Sequence, residues 1–206
     1  MPDIYDKLFD RIIANQYHPN THLKEEELAK EFNVSRTPVR EALRMLEHDG
    51  LVKILPKKGT IVSGFTVDDV EEIYEIRKAL EILALKSAIP SLSIQGLIRI
   101  RKELQEIENE TDYRIHAEFD AKFHNYFIDA SANKRLIGVL GQMMRLIRRF
   151  RNIGFKDPVL RKSAYNYHFD LINALCVRDS NAAVTILTEH LDESKIHSIS
   201  HLIMNT

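Results

Sequence analysis

Apolar residues recur at helical spacing along most of the chain, and they break into alternation only once. Ile4, Leu8, Ile12 and Ile13 share one face of a first helix that ends near Asn15. Gln16 to Thr21, with Pro19-Asn20, reads as a turn. Lys24 to Phe32 reads as a second helix with Leu28, Ala29 and Phe32 inward. Asn33-Val34 links it to a third, whose apolar face is Val39, Ala42, Leu43 and Leu46 and whose outward residues are Arg36, Thr37, Arg40 and Arg44. Ser35 is positioned to accept a hydrogen bond from the Thr37 N–H as an N-cap. Pro38 falls in the first turn, where its missing N–H costs nothing, and Gly50 suits the position just past the helix end. Two short helices joined by so few residues predict a helix-turn-helix. The period then changes: Leu51 to Leu55 and Thr60 to Ser63 flank Pro56-Lys57-Lys58-Gly59, a hairpin placed as a wing.

From Thr66 onward the pattern is helical again. Thr66-Val67-Asp68-Asp69 fits a capping box, with Asp in the place of Glu, before a long helix through Val70, Ile73, Tyr74, Arg77, Leu80, Glu81 and Ala84. The expected helices span 67–89, 92–109, 112–131, 133–152, 157–177 and 180–204. The fold class is therefore mainly α: an N-terminal winged helix-turn-helix over 1–65, then an all-α bundle of about six helices over 66–206.

Composition narrows the class. The single cysteine, Cys176, allows no intrachain disulfide and fits a reducing cytoplasm. No apolar run approaches the ~20 residues of a membrane span, so no membrane partner is expected. With a net charge of −1, any nucleic-acid contact must come from a local patch. Residues 1–65 carry ten basic and ten acidic side chains. From Val34 to Phe65, however, Arg36, Arg40, Arg44, Lys53, Lys57 and Lys58 face only Glu41, Glu47 and Asp49. The surplus lies on the third helix and the wing, where DNA phosphates would run. The bland alternative is an amphipathic helix with a solvated basic face. Glu25, Glu26 and Glu27 must turn away from DNA or repel it.

The second domain carries a different chemistry. Asp120 and His124 leave one helix on the same face, four residues apart, and His168 and His190 lie on two later helices among apolar neighbours. Three imidazoles and one carboxylate form a ligand set for a divalent transition metal, Zn or Ni, with Mn also possible. Satisfied core histidines are the alternative. His116, one turn before Asp120, is a further candidate ligand or a partner of one. His197 and His201 are placed in solvent, and His18, His22 and His48 at the surface of the first domain. Of Arg145, Arg148, Arg149 and Arg151, the helical angle allows one to point inward.

Ser35-Arg36-Thr37-Pro38-Val39-Arg40-Glu41-Ala42-Leu43, with Leu46, Asp49-Gly50-Leu51-Val52 and Gly59, closely resembles the winged-helix domain of the GntR family of bacterial transcription regulators. The resemblance implies that Arg36 and Arg40 contact DNA, that Thr37 supports them, and that the Lys58-Gly59 tip approaches the minor groove. Arg44 and Lys57 extend that basic surface. Many family members carry an arginine where this chain has Glu26, which implies a different operator preference. Asp120-Ala121-Lys122-Phe123-His124 matches the D-x-x-F-H pattern of the all-helical effector (FCD) domain of the FadR-type branch, and His168, His190, Asn133 and Arg77 with Leu80-Glu81 fit it too. In such domains a metal lies at the base of a cavity and a small carboxylate completes its coordination. Arg77 would then anchor the effector; its alternative is a surface pair with Glu81. The expected function is a ligand-responsive transcription regulator, a repressor that binds a pseudo-palindromic double-stranded operator as a homodimer. A metal-dependent hydrolase with an accessory winged helix is the alternative from another class, although no catalytic carboxylate pair or phosphate loop accompanies the metal set.

Overall fold

The computed structural model describes residues 4–56 and 58–204, without the side chains at positions 149 and 153. The chain divides into two compact units between Phe65 and Thr66.

In the first unit, α1 (Ile4–Ile13) packs on α3 (Arg36–His48), which also contacts α2 (Glu25–Phe32). Leu8, Ile12, Leu28, Val39, Leu43 and Leu46 are all buried. Phe32 is only partly covered, by Lys7 and Arg11 lying over its ring. The turn between α2 and α3 is made by Asn33 in the left-handed region (φ 54°), a conformation asparagine tolerates. Gly50 ends α3 at φ 75°, where a Cβ would be strained. Ser35 has the extended backbone of an N-cap, but its side chain makes no capping hydrogen bond. The expected bond from Thr37 is absent because Ser35 stands exposed at the helix tip, where solvent can serve the first free N–H groups.

The hairpin is β2 (Val52–Leu55) with β3 (Gly59–Val62), in a register that pairs Val52 with Val62 and Leu55 with Gly59. A strand the pattern did not predict, β1 (His22–Leu23), pairs with the other edge of β3, giving the order β1-β3-β2. Two residues are too few to show alternation, and their pairing partner lies far along the chain.

The second unit is helical throughout its described residues: α4 (Val67–Ala88), α5 (Ile94–Glu106), α6 (Tyr113–Ala130), α7 (Lys134–Gly154), α8 (Pro158–Cys176) and α9 (Ser180–Met204). Thr66 and Asp69 form the capping box in full, with Asp69 N–H donating to Thr66 Oγ1 at 3.1 Å and Thr66 N–H to Asp69 Oδ2 at 2.7 Å. Asn133 Oδ1 accepts from Leu136 N–H at 3.2 Å and starts α7. One core, built on Leu85, Leu97, Phe123, Phe127, Leu140, Leu171 and Leu187, joins α4, α5, α6, α7, α8 and α9. Phe123 and Phe127 are fully buried, which fixes the rotation of α6 about its axis. That rotation aims Asp120 and His124 at the bundle interior.

Candidate functional site

Asp120, His124, His168 and His190 converge in the second unit, all buried, with one ligand atom from each lying within 4.8 Å of the others. Asp120 Oδ1 is the hub: His168 Nε2 stands 3.2 Å away, His124 Nε2 3.6 Å and His190 Nε2 3.7 Å. His124 Nε2 and His190 Nε2 are 3.3 Å apart. Donors about 2.0–2.1 Å from one tetrahedral metal stand about 3.3 Å from each other, so the spacing suits a zinc-sized ion. His168 Nε2 is fully buried with no hydrogen-bond partner; it is close to Asp120 Oδ1 but not aligned with it. A buried orphan nitrogen is costly unless something else occupies its lone pair. Aromatic packing holds the imidazoles: Phe123 meets the His168 ring edge-on at 5.1 Å, and Phe127 lies 5.5 Å from that of His124.

Two carboxylate–arginine pairs back this cluster. Glu81 is fully buried on α4; its Oε1 accepts from Arg77 Nε at 2.6 Å and its Oε2 lies 2.5 Å from His124 Nδ1. A proton on Nδ1 shared with Glu81 leaves the Nε2 lone pair pointing at the cluster, the arrangement that orients metal-binding histidines. The pair with Arg77 is thus a buried bridge to His124, rather than the surface pair that was its alternative. Arg151 on α7 forms the second pair, its Nε contacting Asp120 Oδ2. Its Nη2 is buried without a partner. Arg151 is the inward member of the α7 arginine run. It sits four residues after the fully buried Ile147, which is the signal that could have singled it out.

Charge follows from these contacts. Burial opposes the ionised form of Glu81, but Arg77 and then His124 outweigh it and hold its pKa at about 2. Burial likewise opposes ionised Asp120, and Arg151 and His124 keep it well below the usual carboxylate range. Burial pushes His190 down to about 3 and lowers His168, so both rings are neutral donors. Burial also disfavours charged His124, but Glu81 and Asp120 raise it. A cavity of about 30 Å³ adjoins the cluster, lined by Tyr74, Arg77, Asp120, Arg151, Ser194 and Ser198 among others.

His116 does not join the site. It is buried, its Nε2 lies 2.9 Å from the Glu110 carbonyl, and its ring stacks on Phe155. His197 and His201 are half-buried rather than solvated, because α9 stays packed in the bundle along that stretch; His197 Nε2 lies 3.8 Å from Glu193. His18, His22 and His48 are exposed.

In the first unit, Arg36, Thr37, Arg40 and Arg44 line the exposed face of α3, and Lys58 is exposed beside Gly59, whose φ is 87°. Lys57 lies outside the described residues. Arg36 and Arg40 are not bare cations. Arg40 forks onto Glu25, with Nη2 2.8 Å from Oε2 and Nε 3.0 Å from Oε1, and Arg36 Nη2 lies 3.0 Å from Glu26 Oε2. Sequence spacing did not pair these residues, because the contacts cross the α2–α3 turn.

Among the described residues no helix is long and apolar enough to cross a membrane. The chain matches the pattern of bacterial regulatory proteins of the gntR family over residues 2–62 and the FCD domain over 72–193. It is 31% identical to the HTH-type transcriptional regulator YdhC of Bacillus subtilis over 202 residues, covering 96% of this chain and 88% of that protein. It is 26% identical to the HTH-type transcriptional repressor RspR of Escherichia coli, covering 92% and 85%. The fold is shared with E. coli McbR/YncC, with a TM-score of 0.78 at 20% identity over 98% and 96% of the two chains. The family and these relatives are regulators rather than enzymes, and the hydrolase alternative finds no support among them. The chain is a DNA-binding transcription regulator of the GntR family, with its helix-turn-helix followed by an FCD domain.

Proposed function

We propose that this regulator holds one divalent transition metal, zinc or nickel, on Asp120, His124, His168 and His190, and that a small carboxylate metabolite binding beside it modulates operator affinity. The observation that carries this reading is the buried convergence of four donor atoms within 4.8 Å, one of them an orphan imidazole nitrogen. Manganese is a poorer fit, since three imidazoles and one carboxylate suit zinc and nickel better than a metal that prefers oxygen. The metal would supply a positive anchor. The ligand effector would then be anionic on charge grounds. Arg77 offsets Glu81 and Arg151 offsets Asp120, so a divalent ion leaves the buried site with an excess of positive charge. Arg151, with a free buried Nη2 on the cavity wall, supports a carboxylate contact more directly than Arg77, whose Nε is already given to Glu81.

The cavity has room for about two waters, so a metabolite would have to open it by moving its lining side chains. A ligand that favours one arrangement of the bundle over another has the leverage that regulation needs. The coupling element would be α4, which carries Arg77 and Glu81 and is separated from β3 by four residues. The protein would act in the cytoplasm as a homodimeric repressor on a pseudo-palindrome, its two α3 helices entering major grooves one helical turn apart. RspR, named a repressor, supports this direction of control.

A thermal-shift screen of small carboxylates, with and without chelator, tests the effector reading. Carboxylates that bind at the metal are expected to raise the melting temperature only in the metal-loaded protein. Stabilisation indifferent to chelation would separate the effector from the metal. For the DNA face, Arg40→Ala is expected to weaken operator binding by roughly 5–150-fold at matched salt, the loss of a base or phosphate contact worth ~1–3 kcal/mol, with little change in melting. Unchanged binding would remove α3 from the interface.

A further inference from the structure

On the surface of the first unit, every arginine at the N-terminal end of α3 is tied to a carboxylate of α2. Glu25 accepts three contacts from Arg40, at 2.8, 3.0 and 3.2 Å. Glu26 lies 3.0 Å from Arg36 and 3.7 Å from Lys30. Arg44, one turn further along α3, is exposed and acts on Glu25 only as the weakest of its three arginine neighbours. The side chains of Arg36 and Glu26 are more than half exposed, at 59% and 57%, so this pair adds little to stability. Its position, rather than its strength, is what matters: it stands on the surface proposed to face DNA.

Resting on that assignment of α3, we propose that Glu25 and Glu26 act as a specificity filter, pinning Arg40 and Arg36 and suppressing binding to DNA that offers phosphates but not the operator's base edges. Any duplex presents phosphates, and attraction to them grows with each uncompensated cation. Three α3 arginines would give a local charge of three; two carboxylates in contact reduce it to one. A guanidinium drawn from Glu25 or Glu26 toward a phosphate leaves a carboxylate beside the DNA backbone, which opposes the exchange. A phosphate can also take both arms of the fork, but a guanine's O6 and N7 do so on a base pair whose other edge can serve the freed carboxylate as well. The carboxylate left behind can accept from a cytosine N4 amine, more strongly than a neutral glutamine amide would and where an arginine has no acceptor at all. The filter therefore penalises sequence-independent contact and spares the matched site.

The test compares wild type, Glu25→Gln, Glu26→Gln and the double variant on two probes: a mixed-sequence duplex, and a duplex selected from random sequence by the wild-type protein. Binding is measured across a range of salt. The double variant is expected to bind the mixed-sequence duplex about tenfold more tightly, with a log–log salt slope steeper by about 1–2 as one or two freed arginines reach phosphates. The selected duplex should gain less, so that the ratio of the two affinities falls. Mixed-sequence binding within twofold of wild type overturns the filter. So does a loss of affinity confined to the selected duplex, which would make Glu25 a positioning residue for Arg40. Arg40→Ala in the same assay separates this from failure of the DNA-face assignment: if it leaves both probes unaffected, α3 is not the contact surface; if it weakens binding while the glutamines change nothing, only the filter is wrong. Melting temperatures close to wild type show that the exposed substitutions leave the fold intact.

Discussion

Replacing His168 and His190 together by alanine is expected to strip the protein of the metal proposed for this site. Structural zinc sites of four ligands bind with roughly 10–16 kcal/mol, so removing two donors costs about 5 kcal/mol or more, on the order of 10⁴-fold in affinity. Elemental analysis should fall from one metal per chain to background, and chelator should no longer shift the melting temperature. Both imidazoles are buried against Phe123, Tyr167 and each other, so their removal also opens space in the core. Asp120→Asn provides a variant of nearly unchanged volume, and it should weaken metal retention in the same direction because an amide is a poorer ligand than a carboxylate. Stoichiometric metal in the double alanine variant would move the site elsewhere in the chain.

Glu81→Ala should be among the most destabilising single substitutions in the second unit. Glu81 is fully buried and Arg77 is 3% exposed, so deletion of the carboxylate strands a guanidinium in the core. Breaking a buried pair in this way costs about 3–5 kcal/mol. For a unit of this size that corresponds to a melting temperature lower by roughly 10–15 °C. The double substitution Arg77→Met with Glu81→Leu should recover most of the loss, because apolar side chains of similar volume replace both charges. The rescue is expected for stability alone. His124 Nδ1 would still lack its carboxylate, and metal affinity should stay about 10–100-fold below wild type. A stable single variant, or one whose partner substitution restores metal binding as well as melting, would remove Glu81 from its role as the residue that orients His124.

The helices were legible because their signals are local. Of the run counted along α4, Val70, Ile73, Tyr74, Arg77, Glu81 and Ala84 are buried, and Leu80 is half-buried. The same count placed Asp120 and His124 on one face of α6. The β1 strand escaped because two residues carry no period and its partner β3 lies nearly forty positions away. Ser35 had the right chemistry and backbone for a cap, yet local propensity does not decide whether an exposed hydroxyl uses its bond.

The site divides along the same line. Local pattern by itself determined the helical class, the winged arrangement, the cationic surface of α3 and the shared face of Asp120 and His124, since each depends on near neighbours, whereas His168 and His190 became candidates by residue type and by the family resemblance. Only the packing of α4, α6, α7, α8 and α9 decided that the three imidazoles meet around Asp120 Oδ1. Packing also decided that His116 turns to a backbone carbonyl, that Arg151 alone of the described α7 arginines reaches Asp120, and that Glu25 and Glu26 lie against Arg40 and Arg36. A helix's own period says which face a side chain leaves from. What that face meets depends on where distant helices cross it, and that is settled only when their apolar stripes are buried together.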